Sequence, residues 1–311
     1  DPAFGLYDFV AAEVAPRDVL RRLVIALAQA REDGTGRACF RPAQEEATTR
    51  RFRLLNDFAG ALTASDQLSL VYQPRFDLQT GRRLGVEALL RWTHLELGAV
   101  SPGEFIPLVE TTALARPLMD WVVRAALTQL HDWTADGVDV RVSINASARN
   151  LDEPDFAERL LGAAAGLGVD PGRVELEFTE SAVARNAVHV AAQMRQLQDA
   201  GVCVAIDDFG TGHSTIANLQ RLPVSVLKID QSFVRNLATS ATDQTLVRAM
   251  IAIGHDLGYR VVAEGIETAE AYELLRGWSC DEGQGYHMSR PVPAAIISAT
   301  PVGRNGLARS A

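Results

Sequence analysis

Seven places in the chain set a polar side chain where a short apolar run ends. Glu87 follows Leu84-Gly85-Val86, Asn145 closes the run 140–144, and Glu177 lies within the run 174–178. Asp207 and Asp208 end the run 202–206, Lys228 ends 224–227, Glu264 ends 261–263, and Gln284 precedes Gly285-Tyr286. Carboxylates gathered at one point repel each other and resist ionisation unless cations neutralise them. Oxygen-only donors from Glu, Asp and Asn suit hard Mg²⁺ or Mn²⁺ rather than zinc. The Asp207-Asp208 pair narrows the chemistry. Neighbours on a regular strand point to opposite faces, so both reach one site only if the strand ends at Asp207 and the chain turns at Asp208. Phe209-Gly210-Thr211-Gly212 supplies such a turn. One carboxylate would then bridge two metals while its neighbour completes the second.

Taken singly, these residues carry little. A glutamate at a strand end is commonly solvated, a lysine commonly sits on the surface, and Arg91 beside Trp92 reads equally as a stacked surface pair. The inference rests on convergence, so it requires a fold that brings strand ends to one rim. From about Leu68 to Pro293 the chain alternates short β-branched runs with longer amphipathic stretches such as 118–130, 188–199 and 242–257. Several of the runs are almost wholly apolar, as parallel strands covered on both faces should be. Asp136-Gly137, Asp170-Pro171-Gly172, Ala200-Gly201 and Leu257-Gly258 punctuate the joins. Six or more β-then-α units allow an open sheet or a closed barrel. Neither GxGxxG nor GxxxxGKS/T follows a strand, which disfavours an open nucleotide-binding sheet. A (β/α)8 TIM-like barrel is expected, with the polar residues at the C-terminal rim where barrel active sites are built.

Composition sets wide limits. The 311 residues have 47% hydrophobic and 22% charged side chains and a net charge of −9. That balance is expected of a full core, and the acidic surplus argues against duplex nucleic acid. It does not exclude a small anion, because bound cations reverse the local field. No apolar run is long enough to span a bilayer, and no secretory leader opens the sequence. Cys39, Cys203 and Cys280 are too scattered for a disulfide framework or zinc site and are expected to be small apolar packers in a reducing cytoplasm.

Residues 1–55 read differently, with a helix over 17–31, a short strand over 37–40 and a second helix over 50–62. This is too little chain for an independent core. It is expected to be a linker or the remnant of an upstream domain. The barrel is then expected over 56–298 and a disordered tail over 299–311.

The ordered motifs resemble the EAL family of cyclic di-GMP phosphodiesterases from about Leu70 to Pro293. Tyr72-Gln73-Pro74 is followed by Glu87-Ala88-Leu89-Leu90-Arg91-Trp92, Ser101-Pro102-Gly103-Glu104-Phe105-Ile106-Pro107-Leu108 and Ser143-Ile144-Asn145-Ala146-Ser147. Then come Leu176-Glu177-Phe178-Thr179-Glu180-Ser181, Asp207-Asp208-Phe209-Gly210-Thr211-Gly212, Leu227-Lys228-Ile229-Asp230, Ala263-Glu264-Gly265-Ile266-Glu267 and Gln284-Gly285-Tyr286. The three-letter motif alone means little; the ordered set is specific.

The resemblance implies hydrolysis of cyclic di-GMP to linear pGpG with two Mg²⁺ or Mn²⁺ per site, and inhibition by Ca²⁺. It implies that Glu87, Asn145, Glu177 and Asp207 bind the first metal, and Asp207 with Asp208 the second. Lys228 and Glu264 would hold or deprotonate the attacking water. Glu180 would brace the loop after the acid pair. Arg91 would contact a phosphate, with Gln73, Gln284 and Pro291 near the rest of the dinucleotide. The loop 208–216 would couple homodimerisation to metal binding. Residues 1–55 weakly resemble the end of a GGDEF cyclase domain without its signature, which implies no cyclase activity. The parent chain could be longer, sensory or membrane-anchored, with this segment at its cytoplasmic end. Thr111 and Ala113, His213, and His287-Met288 depart from the family pattern, and none of these departures removes an expected ligand. Two other readings stay open here: a non-catalytic receptor for cyclic di-GMP, and an unrelated metal-dependent barrel.

Overall fold

The computed structural model describes residues 3–9, 14–34, 36–180, 187–211 and 222–299. His213, the end of the loop 208–216 and most of the tail 299–311 lie outside them. The chain divides into two compact units, Asp1–Ser65 with Gly103–Val109, and Asp66–Pro102 with Glu110–Ala311.

In the first unit, β1 (Phe4–Leu6) and β2 (Arg37–Cys39) pair in parallel across helix α1 (Pro16–Glu32). Pro16 opens α1 at a position whose missing N–H has no helical partner, and Arg31 lies in its last turn, where a cation suits the dipole. Helix α2 (Pro42–Ala61) begins eight residues before the expected start at Arg50. Residues 42–49 carry no large apolar side chain, so the periodicity there is silent. Phe58 of α2 packs on Phe105 of α3 (Pro102–Glu110), with ring centroids 5.6 Å apart. Cys39 is exposed, contrary to the expectation of a packer, because β2 turns Arg37 and Cys39 outward on alternate positions.

The second unit is an eight-stranded closed barrel. Its strands are β3 (Leu68–Asp77), β4 (Arg83–His94), β6 (Arg141–Ala146), β7 (Val174–Thr179), β8 (Cys203–Phe209), β9 (Val226–Ile229), β10 (Arg260–Ala263) and β11 (Glu282–Gly283). The order is β3-β11-β10-β9-β8-β7-β6-β4, closed by pairing of β3 with β4, and β5 (Gly98–Val100) extends β4 at the edge. Strand β3 is antiparallel to both neighbours, whereas the other barrel pairs are parallel. The cause is local. Asp77 Oδ1 accepts from the N–H groups of Gln79 (2.9 Å) and Thr80 (2.6 Å), and Gly81 adopts φ +69°, so β3 returns directly as β4 in a hairpin.

Helices α4 (Ala115–Ala135), α5 (Ala148–Asp152), α6 (Phe156–Leu167), α7 (Ala187–Asp199), α8 (Gln231–Val234), α9 (Ala241–Asp256), α10 (Ala269–Gly277) and α11 (Ala294–Ala299) follow the strands. Period-two alternation sorts the strand residues. Ile229, Val261 and Ala263 face outward onto Val247, Ile251 and Leu275 of the helices. Ala205, Val226 and Val262 form a small apolar layer with Cys203 on the other face, inside the barrel. The same inward parity carries Glu175 and Glu177, Asp207, Lys228, and Arg260 and Glu264. The barrel interior is therefore apolar in one thin layer and charged in the rest. Among the described residues no helix is long and apolar enough to cross a membrane.

Candidate active site

Lys228 is the centre of the charged cluster at the C-terminal mouth of the barrel. It is fully buried, and its Nζ reaches Glu177 Oε2 (2.5 Å), Glu264 Oε1 (2.6 Å), Asp207 Oδ1 (3.4 Å) and Glu87 Oε2 (3.9 Å). Glu87 is gripped from both sides: Asn145 Nδ2 donates to Oε1 at 2.7 Å and Gln284 Nε2 to Oε2 at 2.6 Å. The strand register explains the meeting, since Glu87 pairs with Ser143, Asn145 with Glu177, and Thr179 with Asp207 across β4, β6, β7 and β8.

Asp208 stands slightly apart. Strand β8 runs two residues past the expected end at Asp207, but it does so through an irregularity between Ile206 and Phe209. Asp208 sits there with φ +55°, a left-handed conformation that Asp tolerates better than most residues. This bend lets two adjacent carboxylates share one end of the barrel, and the Asp208 N–H donates to Asp207 Oδ1 at 2.9 Å. Glu180, buried, accepts from the Gly210 N–H at 3.1 Å and so ties β7 to this bend. Gly210 has φ +99°, and a Cβ there would lie 2.5 Å from Met250 Cε.

The electrostatics reflect a crowd of anions around one cation. Burial works against the charge on Lys228, but Asp207, Glu177, Glu264 and Glu87 outweigh it and hold the ammonium well above the usual lysine range. Burial pushes Glu264 up to about 8, helped by Asp207 and Glu87 and opposed by Lys228. Burial likewise raises Glu177 well above the carboxylate range, with Glu87 and Asp207 adding to it. Glu87 goes the other way: burial would raise it, yet Lys228, Gln284 and Asn145 together bring it down. Asp208 rises to about 6 through burial and the nearby Asp207 and Asp230.

These residues fit divalent cations by charge and donor type. Glu87, Glu177, Asp207, Asp208 and Glu264 set five carboxylates against the one ammonium of Lys228. The formal excess of four negative charges is what two divalent ions would balance. Glu177 Oε1 and Gln284 Oε1 are buried without a hydrogen-bond donor. Among the described residues, no three acids, histidines or cysteines stand ready-made around a cation position, because the acids close on the ammonium instead.

The remaining expected residues lie around the cluster. Gln73 is buried, pairs in register with Glu87 and donates to the Ser289 carbonyl at 3.2 Å. Arg91 shares the face of β4 that carries Glu87, four residues nearer the strand's end, and donates to the Leu90 carbonyl at 2.8 Å. Pro291 lies in a segment fixed to β3 by reciprocal backbone bonds between Tyr72 and Val292 (2.8 and 2.9 Å). Gln284 belongs to the acid cluster itself, since its amide also stands 3.4 Å from Glu264 Oε1. His287 is half-buried with its ring 5.9 Å from that of Tyr272, and Met288 is buried in the outer core.

Residues 55–291 match the EAL domain family. The chain belongs to that family. This EAL chain is 46% identical over 276 residues to a cyclic di-GMP phosphodiesterase of Pseudomonas aeruginosa, covering 89% of the chain and 47% of that protein. It is 36% identical over 277 residues to MucR, a bifunctional diguanylate cyclase/cyclic di-GMP phosphodiesterase of the same organism, covering 88% and 40%. The chain thus spans half or less of these relatives. The solved structure of the MucR phosphodiesterase in complex with c-di-GMP superposes with a TM-score of 0.75 at 38% identity, covering 79% of this chain and 99% of that one. The EAL domain of Mycobacterium smegmatis DcpA is also similar, with a TM-score of 0.65 and 34% identity, covering 76% and 96%.

Sequence reasoning missed a second charged set inside the barrel: Arg75, Glu175, Glu282 and Arg260. Arg75 forms a two-pronged pair with Glu175, whose Oε2 lies 3.1 Å from Nη2, and its Nε is 2.7 Å from Glu282 Oε2. Arg260 Nη1 meets Glu282 Oε1 at 2.5 Å. A signal was present. Glu175 has the parity of Glu177 within one apolar run, and Arg75 the parity of Gln73, so both had to point inward.

Proposed function

We propose that this EAL domain hydrolyses cyclic di-GMP to linear pGpG, using two Mg²⁺ or Mn²⁺ ions held at the barrel mouth. The observation that carries the reading is the set of five carboxylates, two amides and one ammonium meeting at the rim of an EAL chain. Its support includes the activity named for the relative of 46% identity. Glu87, Asn145, Glu177 and Asp207 would hold the first ion, and Asp207 with Asp208 the second. Ions bound there would supply positive charge to the scissile phosphodiester and acidify the attacking water.

The chain's own groups do the rest. Glu264, raised to about 8, would first give up its own proton to solvent, and its carboxylate, 2.6 Å from Lys228 Nζ, would then hold the attacking water or take a proton from it. Lys228 Nζ remains charged and faces the oxygens on which negative charge grows. Asn145 and Gln284 orient the Glu87 carboxylate by donating to its two oxygens. Arg91 meets a phosphate, and Gln73 and Pro291 wall the dinucleotide. Glu180 holds the bend that aims Asp208. Ca²⁺ inhibits because it favours longer, looser coordination than Mg²⁺.

Two further elements belong to this reading: homodimerisation through the loop after Asp208, and the origin of residues 1–55 as the end of an upstream GGDEF-like domain. Two parallel strands with Phe4 and Leu6 exposed, beside a helix α1 that exposes Leu20 and Val24, support the latter, since parallel sheets are normally covered on both faces. The barrel would then occupy 56–298 and a tail 299–311. The test is incubation of the chain with cyclic di-GMP and Mn²⁺, with and without chelator. Chelator-sensitive formation of pGpG is expected; metal-independent binding without product would make the domain a receptor instead.

A further inference from the structure

We propose that Arg75 is a positioning residue for the carboxylate of Glu177, acting from the ionic layer beneath the site. The proposal rests on the reading of Glu177 as a metal-holding group. Glu175 and Glu177 lie two apart on β7, so both project into the barrel. The Glu177 carboxylate is suspended between two cations. Its Oε2 is 2.5 Å from Lys228 Nζ, while its Oε1 has no hydrogen-bond donor and faces Arg75 Nη1 at 3.8 Å.

Arg75 is well placed to act as a fixed reference. It is 2% exposed, its planar fork is held by Glu175 on one edge, and its Nε lies 2.7 Å from Glu282 Oε2 as an ion pair without hydrogen-bond geometry. Ser143 Oγ lies 3.4 Å from Nη1 and donates to Glu175 Oε1 at 3.0 Å, which closes the layer on the β6 side. A guanidinium gripped in this way keeps its position while groups above it rearrange. If Oε2 of Glu177 turned from Lys228 to a cation, the charge facing Oε1 from below would still define where the carboxylate sits. Without Arg75, Glu175 would keep only the longer contact to Arg260, whose Nη2 is 3.4 Å from its Oε2, and would repel Glu177 more strongly in the same dry interior.

The experiment is Mn²⁺ binding, followed by the paramagnetic signal of the free ion, in the wild-type chain and three variants. Arg75→Met is expected to weaken Mn²⁺ at least tenfold, and Arg75→Lys to recover part of that by restoring a charge. Because Arg75→Met leaves Glu175 with Arg260 alone, the variant Arg75→Met/Glu175→Gln removes one charge of each sign from the layer and keeps the comparison informative if the single variant misfolds. It too should bind Mn²⁺ at least tenfold more weakly while melting cooperatively. Unchanged Mn²⁺ affinity in the folded double variant would overturn the positioning role. A wild-type chain that binds no Mn²⁺ would overturn the metal-site reading, and the proposal with it.

Discussion

Lys228 Nζ and Glu264 Oε1 stand 2.6 Å apart at the end of two adjacent parallel strands, one fully buried and the other open to the barrel mouth. The pair links the interior of the fold to its solvent-facing chemistry. Lys228 neutralises the acids from below, and Glu264 at about 8, like Asp208 at about 6, changes protonation within reach of neutral pH.

Replacing Lys228 by Met should make folding depend on divalent cations. Breaking a buried ion pair by removing one partner costs about 3–5 kcal/mol. In chelator, Lys228→Met should therefore melt several degrees below wild type, and Mg²⁺ should restore much of the difference by replacing the lost charge. Turnover should fall about 10²-fold or more even with metal present. Equal melting temperatures in chelator would show that the ammonium does not hold the acids together.

Acid–base linkage gives a second prediction. Glu264 keeps its proton up to about pH 8 in the folded chain but releases it near 4.5 when unfolded. Between those values the folded state binds more protons, so stability in chelator should fall as pH rises from about 4.5 to about 8. Asp208, at about 6, acts in the same sense over a lower window. Glu87, with a depressed value, opposes it, its contribution being lost as pH falls. Metal binding must displace these protons, so Mn²⁺ affinity should increase from pH 6 to 8. Calorimetry in buffers of different ionisation enthalpy should register proton release; none in that range would refute the assignment.

The bend after β8 is testable through Gly210. A side chain there meets both a left-handed backbone and Met250, so Gly210→Ala should cost about 1–3 kcal/mol. Glu180→Ala removes the carboxylate that accepts from Gly210 and should lower turnover more than stability. A Glu180→Ala enzyme with wild-type kcat would show that the brace does not aim Asp208.

How much of this was legible in advance depended on which physical signal each feature left. Strand-end acids such as Glu87 and Asp207 interrupt apolar runs, and a barrel converts those interruptions into one site, so the cluster could be read from parity and position. The reversed β3 left no comparable trace, because its direction is set by a hairpin turn at Asp77 to Gly81 rather than by periodicity. The lower ionic layer left a parity signal, but one easily discounted for a single arginine. Arg75 looks like a loop-edge cation until the register places it opposite Gly85, inside the barrel. The left-handed Asp208 shows a third kind of gap: the sequence called for a turn there, whereas the strand continues to Phe209 by absorbing the bend as an irregularity.

The most direct test of the central claim is turnover of cyclic di-GMP as a function of Mg²⁺ concentration in the wild-type chain and in Glu87→Ala. Glu87 is a rim carboxylate held by two amides and is not part of the apolar core, so its loss should spare the melting transition. Wild type should form pGpG with a rate that climbs with Mg²⁺ and vanishes in chelator. Glu87→Ala should be slower by about 10²-fold or more at every Mg²⁺ concentration. Near-normal turnover in folded Glu87→Ala, or no product from folded wild type, would contradict the account.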